Sequence, residues 1–361
     1  MSKAAELAAL IGSQSSLSNR NMIINGDMAV AQRGVSKTGF DKDTSGLFHV
    51  VDRWGLDIGT TAGAFTVTQD TDNTAPFNEA LKIATTTADT SIAAGEYVLL
   101  HQSIEGVNCA RMRKGNSDAS AITISFYVKG NAAATYGFGL RDTDNDRIYN
   151  DVFSVTTSWS RVVLTLPGDT NGEYLDQDVN SSLQMYIWLH AGSTYTGGTF
   201  SSKTWADRSN WNTTVNSSNT SILDSTSRTF FITGVQMELG EVATPFEHES
   251  YADNLAKCQR YYQEMNRDQL QGYQSGTTAL YGTYFNPVEM RADPTSTYSL
   301  SYISTSQSGG AYANKTITGI TTAKYGSHIE IIYAIGGGAG GSDNTPLGLF
   351  HNGTLKLDAE I

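Results

Sequence analysis

Alternation of apolar and polar side chains at every second position is the feature that most constrains how this chain folds. It is clearest over residues 122–128, 183–189 and 231–239, where alternate residues are mostly apolar. A β-strand turns successive side chains to opposite faces, so this period predicts strands that bury one face. From residue 21 to about 250, such segments are separated by turn-rich stretches with no long helical pattern between them. The sequence therefore predicts a mainly β fold, an antiparallel β-sandwich over residues 21–250.

A second, smaller β domain is predicted over residues 269–361. Leu255, Cys258 and Tyr262 recur at helical spacing, which predicts a linker helix over residues 251–268. Beyond it the period of two returns, and the Asn352-Gly353 pair between two apolar stretches predicts a β-hairpin. With 361 residues, the chain is long enough for two domains that each bury a core.

Residues 1–20 differ from the rest of the chain. Residues 2–11 predict one short amphipathic helix with Ser2 as its N-cap, and residues 13–20 predict a flexible connector. A helix this short is marginal alone, so we expect it either to dock on a partner or to fray. We find no pattern of a signal peptide and no apolar run of the ~20 residues that span a membrane, so no membrane insertion is expected.

Charge and cysteine content exclude several classes of function. The chain carries 24 Lys and Arg against 36 Asp and Glu, and a net charge of −12 argues against binding to nucleic acid. The basic cluster at residues 111–114 is expected to be a solvated loop. Cys109 and Cys258 form no metal motif, and we expect two buried or half-buried thiols.

Motifs of catalysis and metal binding are missing from the sequence. There is no nucleophile elbow, and the six histidines are not spaced as a zinc pair, so no cofactor and no enzyme activity are expected. Asp142, Asp144 and Asp146 lie at every second position, as ligands that converge on one calcium ion can. With Asp176 and Asp178 they are also candidates for the two carboxylates that a glycosidase places on either side of a sugar, but carboxylates in polar loops are commonly just solvated. The glycine and distal glutamate of a calcium loop are absent, however, so a turn between strands is favoured and no metal site is predicted.

Aromatic residues give the one candidate binding surface. Tyr186 and Trp188 lie on the polar face of their strand, and a Ser-, Thr- and Asn-rich stretch with more aromatics follows. An aromatic ring stacks on the apolar face of a sugar while polar neighbours bind its hydroxyls. The alternative is a surface buried by a neighbouring subunit. Trp54 and Trp159 are assigned to packing. The candidate glycan-binding residues are Tyr186, Trp188, Tyr195, Trp205 and Trp211.

Short motifs at both ends of the predicted sandwich suggest a relationship. NMIINGD at residues 21–27, QRG at 32–34 and DRW at 52–54 open it, and GVQMELG at 234–240, ATPFE at 243–247 and CQRYY at 258–262 follow in order. Together they resemble tail-fibre or receptor-binding proteins of tailed bacteriophages that contain a jelly-roll domain like those of carbohydrate-binding modules. The resemblance covers roughly residues 19–265.

The resemblance implies a jelly-roll-like fold and a role in the virion. It implies a homotrimer assembled in the host cytoplasm and attached to phage tail or adaptor proteins through residues 1–20. Such a protein mediates attachment to a glycan or protein of the host cell surface. Two alternatives stay open: an architectural virion protein such as a head fibre or decoration protein, and a depolymerase of surface polysaccharide.

Overall fold

The protein is described by a computed structural model. It covers residues 19–44, 50–266, 269–276, 278–300, 302–306, 313–336, 346–351 and 353–361. The predicted helix over residues 2–11 lies outside these ranges. The described chain forms two compact units, the first ending at Tyr251 and the second beginning at Ala252. No helix within the described ranges is long and apolar enough to cross a membrane.

The first unit is a sandwich of short strands. Its strands are β1 (Ser36–Phe40), β2 (Gly55–Ile58), β3 (Ala64–Asp70), β4 (Ala80–Thr87), β5 (Tyr97–Glu105), β6 (Ile122–Gly130), β7 (Ala134–Asp142), β8 (Arg147–Val155), β9 (Ser160–Leu166), β10 (Ser181–Ala191), β11 (Trp205–Asp207) and β12 (Thr229–Leu239). One α-helical turn, α1 (Ser193–Thr196), follows β10, and 3-10 turns form at Lys42–Thr44, Gly106–Asn108 and Ala110–Met112.

Two six-stranded antiparallel sheets build this sandwich. The first has the order β1-β3-β4-β12-β6-β9 and the second β11-β8-β7-β10-β5-β2. Alternate residues of both sheets meet in one core, where the ring of Phe126 on β6 lies 5.1 Å from that of Phe153 on β8. The predicted jelly-roll-like antiparallel sandwich is therefore confirmed. The alternation in the sequence favours it, because each strand turns its apolar side chains to the same face and buries them between the sheets.

The motifs at the two ends of the sandwich contact each other. The Asn21 side chain accepts a hydrogen bond from the backbone N–H of Met237 at 3.0 Å. A Cβ at Gly26 would lie 2.0 Å from the carbonyl oxygen of Val235, so only glycine fits there. The segments that carry the sequence resemblance thus join the start of the domain to its last strand.

The second unit is also built of β-strands. Helix α2 (Tyr251–Gln259) leads into it, and its strands are β13 (Tyr262–Asn266), β14 (Gln269–Ser275), β15 (Ala279–Phe285), β16 (Thr295–Tyr298), β17 (Tyr302–Ser306), β18 (Ala313–Tyr325), β19 (His328–Gly336), β20 (Pro346–His351) and β21 (Thr354–Asp358). A three-stranded sheet has the order β13-β21-β16, and β14-β15-β19-β18-β17-β20 close into a small barrel. The unit has its own apolar core.

Two local predictions for this unit are wrong. The predicted helix over residues 251–268 ends at Gln259, and Tyr262–Asn266 is strand β13, because pairing with distant β21 overrides the local helical spacing. The predicted hairpin at Asn352-Gly353 has its first turn residue outside the described ranges, and within those ranges the two flanking strands are not paired with each other. Strand β20 pairs with β14 and β17, whereas β21 pairs with β13 and β16, so the two strands belong to different sheets.

The basic cluster at residues 111–114 is not a wholly solvated loop as expected. Arg111 and Arg113 are exposed, but the side chain of Lys114 is only 1% exposed. Its Nζ lies 2.5 Å from the carboxylate of Asp142 and 3.5 Å from that of Asp169. A buried ammonium thus compensates two carboxylates, one of which was considered as a calcium ligand. Cys109 and Cys258 are both buried, as expected.

Candidate functional site

A groove lies on the face of the second sheet that points away from the main core. It has a cavity volume of about 290 Å³. Side chains from β2, β5, β7 and β10 form its floor, and Tyr195 of α1 and Trp211 of the following loop form its wall. The lining residues, called here the aromatic groove, are Asp57, Tyr97, Leu99, His101, Arg141, Gln184, Tyr186, Trp188, Tyr195 and Trp211.

Strand alternation positions the floor of the aromatic groove. On β10, residues 183, 185, 187 and 189 enter the main core, so Gln184, Tyr186 and Trp188 face the groove. Strand pairing then sets their neighbours. Tyr186 lies opposite His101 on β5, and Trp188 lies opposite Leu99. These cross-strand pairs bring aromatic and polar side chains from distant parts of the sequence onto one surface.

Two glycines on β7 give the large rings their space. Gly137 lies opposite Trp188, and Gly139 lies opposite Tyr186. A Cβ at Gly137 would lie 3.3 Å from Trp188 Cβ, and one at Gly139 would lie 3.5 Å from the Tyr186 ring. Because β7 presents no side chain at these two positions, the side chains of Trp188 and Tyr186 have room beside its backbone.

The aromatic rings form one connected cluster around Trp188. Ring centroids lie 5.1 Å apart between Trp188 and Tyr195, 6.1 Å between Trp188 and Trp211, and 5.4 Å between Tyr97 and Tyr195. Trp188 is only 1% exposed and Tyr186 5%. Both side chains face away from the main core as predicted. The expectation that they are left exposed is wrong, because the segment that follows β10 covers them.

Trp211 is held in place by two arginines. The guanidinium carbon of Arg208 lies 4.3 Å from its ring centroid and that of Arg141 lies 5.5 Å away. Asp146 accepts hydrogen bonds from Arg208 at 2.8 and 2.6 Å and from Arg141 at 3.0 Å. One carboxylate thus orients both cations against the indole, and cation–π attraction stabilises the ring position.

Polar groups occur at defined points between the rings. The Tyr97 hydroxyl donates to Asp57 at 3.5 Å, and burial together with the Asp57 charge raises the pKa of Tyr97 to about 12. Burial lowers the pKa of His101 to about 4, so its ring is neutral at pH 7. Its Nδ1 lies 3.5 Å from the Gln184 amide nitrogen. The groove therefore offers a carboxylate, an amide and a neutral imidazole between aromatic faces.

Two buried nitrogens of the groove residues have unused donor capacity. Trp188 Nε1 and Arg141 Nε make no hydrogen bond within the described parts of the chain. A buried N–H without an acceptor is costly, and such groups often point to a bound ligand or water. Both nitrogens belong to side chains that line the aromatic groove, so they are candidate donors to a ligand oxygen.

Four of the five predicted aromatic residues come together, and one does not. Tyr186, Trp188, Tyr195 and Trp211 line the groove. Trp205 lies on β11, where its ring is 6.0 Å from Tyr149 and its indole N–H donates to the Pro167 carbonyl at 2.8 Å. Trp205 packs against the main core and is absent from the lining of the aromatic groove.

The polar lining residues were missed by sequence analysis. They are Asp57, Tyr97, His101, Arg141 and Gln184. The available signal was the alternation on β2 and β5, where core residues such as Leu56 and Leu100 alternate with polar or aromatic ones. That signal gives the outward face of each strand but not which strands are neighbours.

The assignments of Trp54 and Trp159 to packing are confirmed, since Trp54 lies in the core and Trp159 packs on Phe231 at 6.1 Å.

The fold and site define a β-sandwich with an aromatic groove on one sheet. The sequence matches no protein-family model and no curated protein. Several solved structures resemble the chain at low identity. The enzymatically active domain of bacteriophage CBA120 tailspike protein 4 aligns at 13% identity and a TM-score of 0.31, covering 61% of this chain and 22% of that one.

Two further similar structures contain carbohydrate-binding modules. TmCBM61 in complex with β-1,4-galactotriose aligns at 9% identity and a TM-score of 0.29, covering 62% of this chain and 100% of that one. The family 11 module from Clostridium thermocellum, in complex with a β-1,3-1,4-mixed-linked tetrasaccharide, aligns at 13% identity and a TM-score of 0.28, covering 60% and 99%.

Proposed function

We propose that this protein binds glycans and that the aromatic groove is its binding site. The observation that carries the proposal is the joint presence of aromatic rings and polar groups in one concave site. A pyranose ring has apolar C–H faces and a rim of hydroxyls. Tyr195 is half-buried and offers an aromatic ring for stacking, and Trp211 walls the groove, while Asp57 and Gln184 offer hydrogen-bonding groups.

The geometry favours a small ligand over a subunit contact. The groove is concave, and packing fixes its rings, since Trp188 contacts Tyr97, Tyr186, Tyr195 and Trp211. Rings that are already fixed lose little conformational entropy on binding. If this surface were buried only by a neighbouring subunit, Trp188 and Tyr186 would be exposed in the single chain.

We also propose that binding occurs without cleavage. A glycosidase of the common type needs two carboxylates on either side of the scissile bond. Among the described residues that line the aromatic groove, Asp57 is the one carboxylate. Asp142 and Asp146, considered above as catalytic candidates, are engaged by Lys114 and by Arg141 and Arg208.

The biological role that we propose is attachment of a tailed-phage virion to its host. It rests on the sequence resemblance over roughly residues 19–265. In this proposal the protein is a tail fibre or receptor-binding protein that recognises a surface glycan, with residues 1–20 on the particle side. Several copies, as in the expected homotrimer, would convert a weak single site into strong attachment.

Cell binding tests the role directly. Fluorescently labelled protein is added to host cells, and unlabelled protein is tested for blocking phage adsorption. We expect saturable binding that Tyr195→Ala weakens. Tyr174→Ala is the matched control, because Tyr174 is 64% exposed on the same unit and outside the groove. A folded protein that binds particles but not cells contradicts the proposal and favours an architectural role. Release of oligosaccharides from cell polysaccharide favours a depolymerase.

A further inference from the structure

A second depression lies beside the aromatic groove, with Trp211 in the lining of both. It is wider and open, with a volume of about 770 Å³, and Arg208, Asn210 and Asn212 line it. Arg141 stacks on Trp211 and lines the groove, while Arg208 stacks on the same ring and lines the depression. Trp211 is therefore the shared wall between two neighbouring cavities.

The two cavities differ in chemistry. The groove is mainly aromatic, whereas the depression is lined by Ser, Thr, Asn and Gly besides Arg208 and Trp211. Asn210 and Asn212 are exposed, and an amide can donate to one sugar hydroxyl and accept from another. The groove alone, at about 290 Å³, lies at the lower end of the usual range of ligand pockets, ~300–1,000 Å³.

The charges along both cavities are balanced. The two arginines, Arg141 and Arg208, share Asp146 as their partner, and the one positive charge left over is matched in number by Asp57 of the groove lining. His101 is neutral, and Asp57 lies at the opposite side of the groove. An acidic sugar would need an arginine or lysine that can turn to its carboxylate. A neutral sugar needs only ring faces and hydrogen-bonding groups.

We propose that the groove and the depression form one track for an extended, neutral polysaccharide chain that crosses Trp211. The protein would then recognise internal segments of the chain, not its terminal sugar. This inference rests on the proposed glycan-binding function and adds the length and charge of the ligand. Asn210 and Asn212 would contact the sugar units beyond Trp211.

The test is a printed array of oligosaccharides that carries disaccharides, tetrasaccharides and hexasaccharides of glucan, galactan and mannan, with polyuronic chains of equal length. We expect affinity to rise with chain length among the neutral sugars. Replacing both amides, by Asn210→Ala with Asn212→Ala, removes about two hydrogen bonds and should weaken hexasaccharide binding roughly tenfold. Disaccharide binding should not change.

The comparison variant is Tyr195→Ala, which should weaken binding at every length. Length-independent binding that Tyr195→Ala abolishes and the double amide variant does not affect would overturn the extended track while supporting the glycan site. Stronger binding to the polyuronic chains would overturn the neutral class. If no sugar binds to protein with an unchanged melting temperature, the proposed function itself fails, and this inference with it.

Discussion

The indole of Trp188 has two roles, because it forms part of the groove and also part of a small buried cluster. Its side chain packs with Leu99, Tyr186 and Val215, and it is almost fully buried. We expect Trp188→Ala to destabilise the first unit by about 3–5 kcal/mol, the usual cost of removing a buried aromatic side chain. Denaturant unfolding followed by circular dichroism gives the free energy.

Trp211→Ala is the comparison for that prediction. Trp211 is only partly buried, so its removal should cost clearly less stability while still weakening sugar binding. Equal loss of stability in the two variants would mean that Trp211 is as much a part of the core as Trp188. Sugar binding by Trp211→Ala should therefore be measured on a protein that is still folded.

The burial of His101 predicts how the stability of the first unit depends on pH. Burial lowers its pKa in the native state to about 4, whereas an unfolded histidine titrates near 6.5. Between these values the unfolded chain binds a proton that the native protein does not, so stability should fall as the pH drops from about 6.5 towards 4. Urea unfolding at a series of pH values measures the slope.

His101→Gln is the variant that isolates this effect. Burial also lowers the pKa of His190, which therefore adds to the slope in the same direction. We expect His101→Gln to retain part of the pH dependence and to lose the share that His101 contributes. An unchanged slope would show that His101 is already solvated or charged in the native protein.

At the level of elements, buried ion pairs tie the ends of several strands together. Asp142 is the last residue of β7, and Arg147 is the first residue of β8. Asp169 lies in the loop after β9, and Lys114 lies in the loop before β6. The Arg147 guanidinium donates hydrogen bonds to the Asp169 carboxylate at 2.7 and 2.9 Å. The Lys114 ammonium forms ion pairs with the carboxylates of Asp142 and Asp169. These contacts fix loops that alternation alone leaves undefined.

Removing the Lys114 charge should be costly. Lys114→Met leaves Asp142 without its ammonium partner in a buried site, and we expect a loss of about 3–5 kcal/mol. Arg113→Met is the matched control, since Arg113 is exposed and its contact with Asp118, at 3.9 Å, is at the protein surface. Thermal unfolding of both variants tests this. Equal melting temperatures would contradict a structural role for Lys114.

Alternation made most of the first unit predictable, because one face of each strand must meet the core. It gave the inward residues of β6, β10 and β12 and the outward position of Tyr186 and Trp188. Alternation could not predict that Trp188 is buried or that Trp205 lies outside the groove. Both depend on how residues 193–215 fold back over the sheet. Strand β13 was missed for a related reason, since its partner β21 lies about ninety residues further along the chain.

At the scale of the whole molecule, the residues that the structure describes form one large apolar core in each unit. The first includes Phe126 and Met185, and the second includes Ile331 and Leu349. Because each unit has its own core, we expect each unit to have its own free energy of unfolding. Stability variants should then act on one unit only, which a single overall melting temperature would not reveal.

Differential scanning calorimetry of the full chain tests this independence. We expect two transitions. Trp188→Ala should lower the midpoint of one transition and leave the other in place. Leu349→Ala, which removes a fully buried side chain from the second core, should do the opposite, at a cost of about 2–5 kcal/mol. A single transition that both variants shift equally would show that the units unfold as one cooperative body, and sugar binding would then stabilise both. With two transitions, a bound neutral oligosaccharide should raise only the midpoint that Trp188→Ala lowers, because the aromatic groove belongs to the first unit alone.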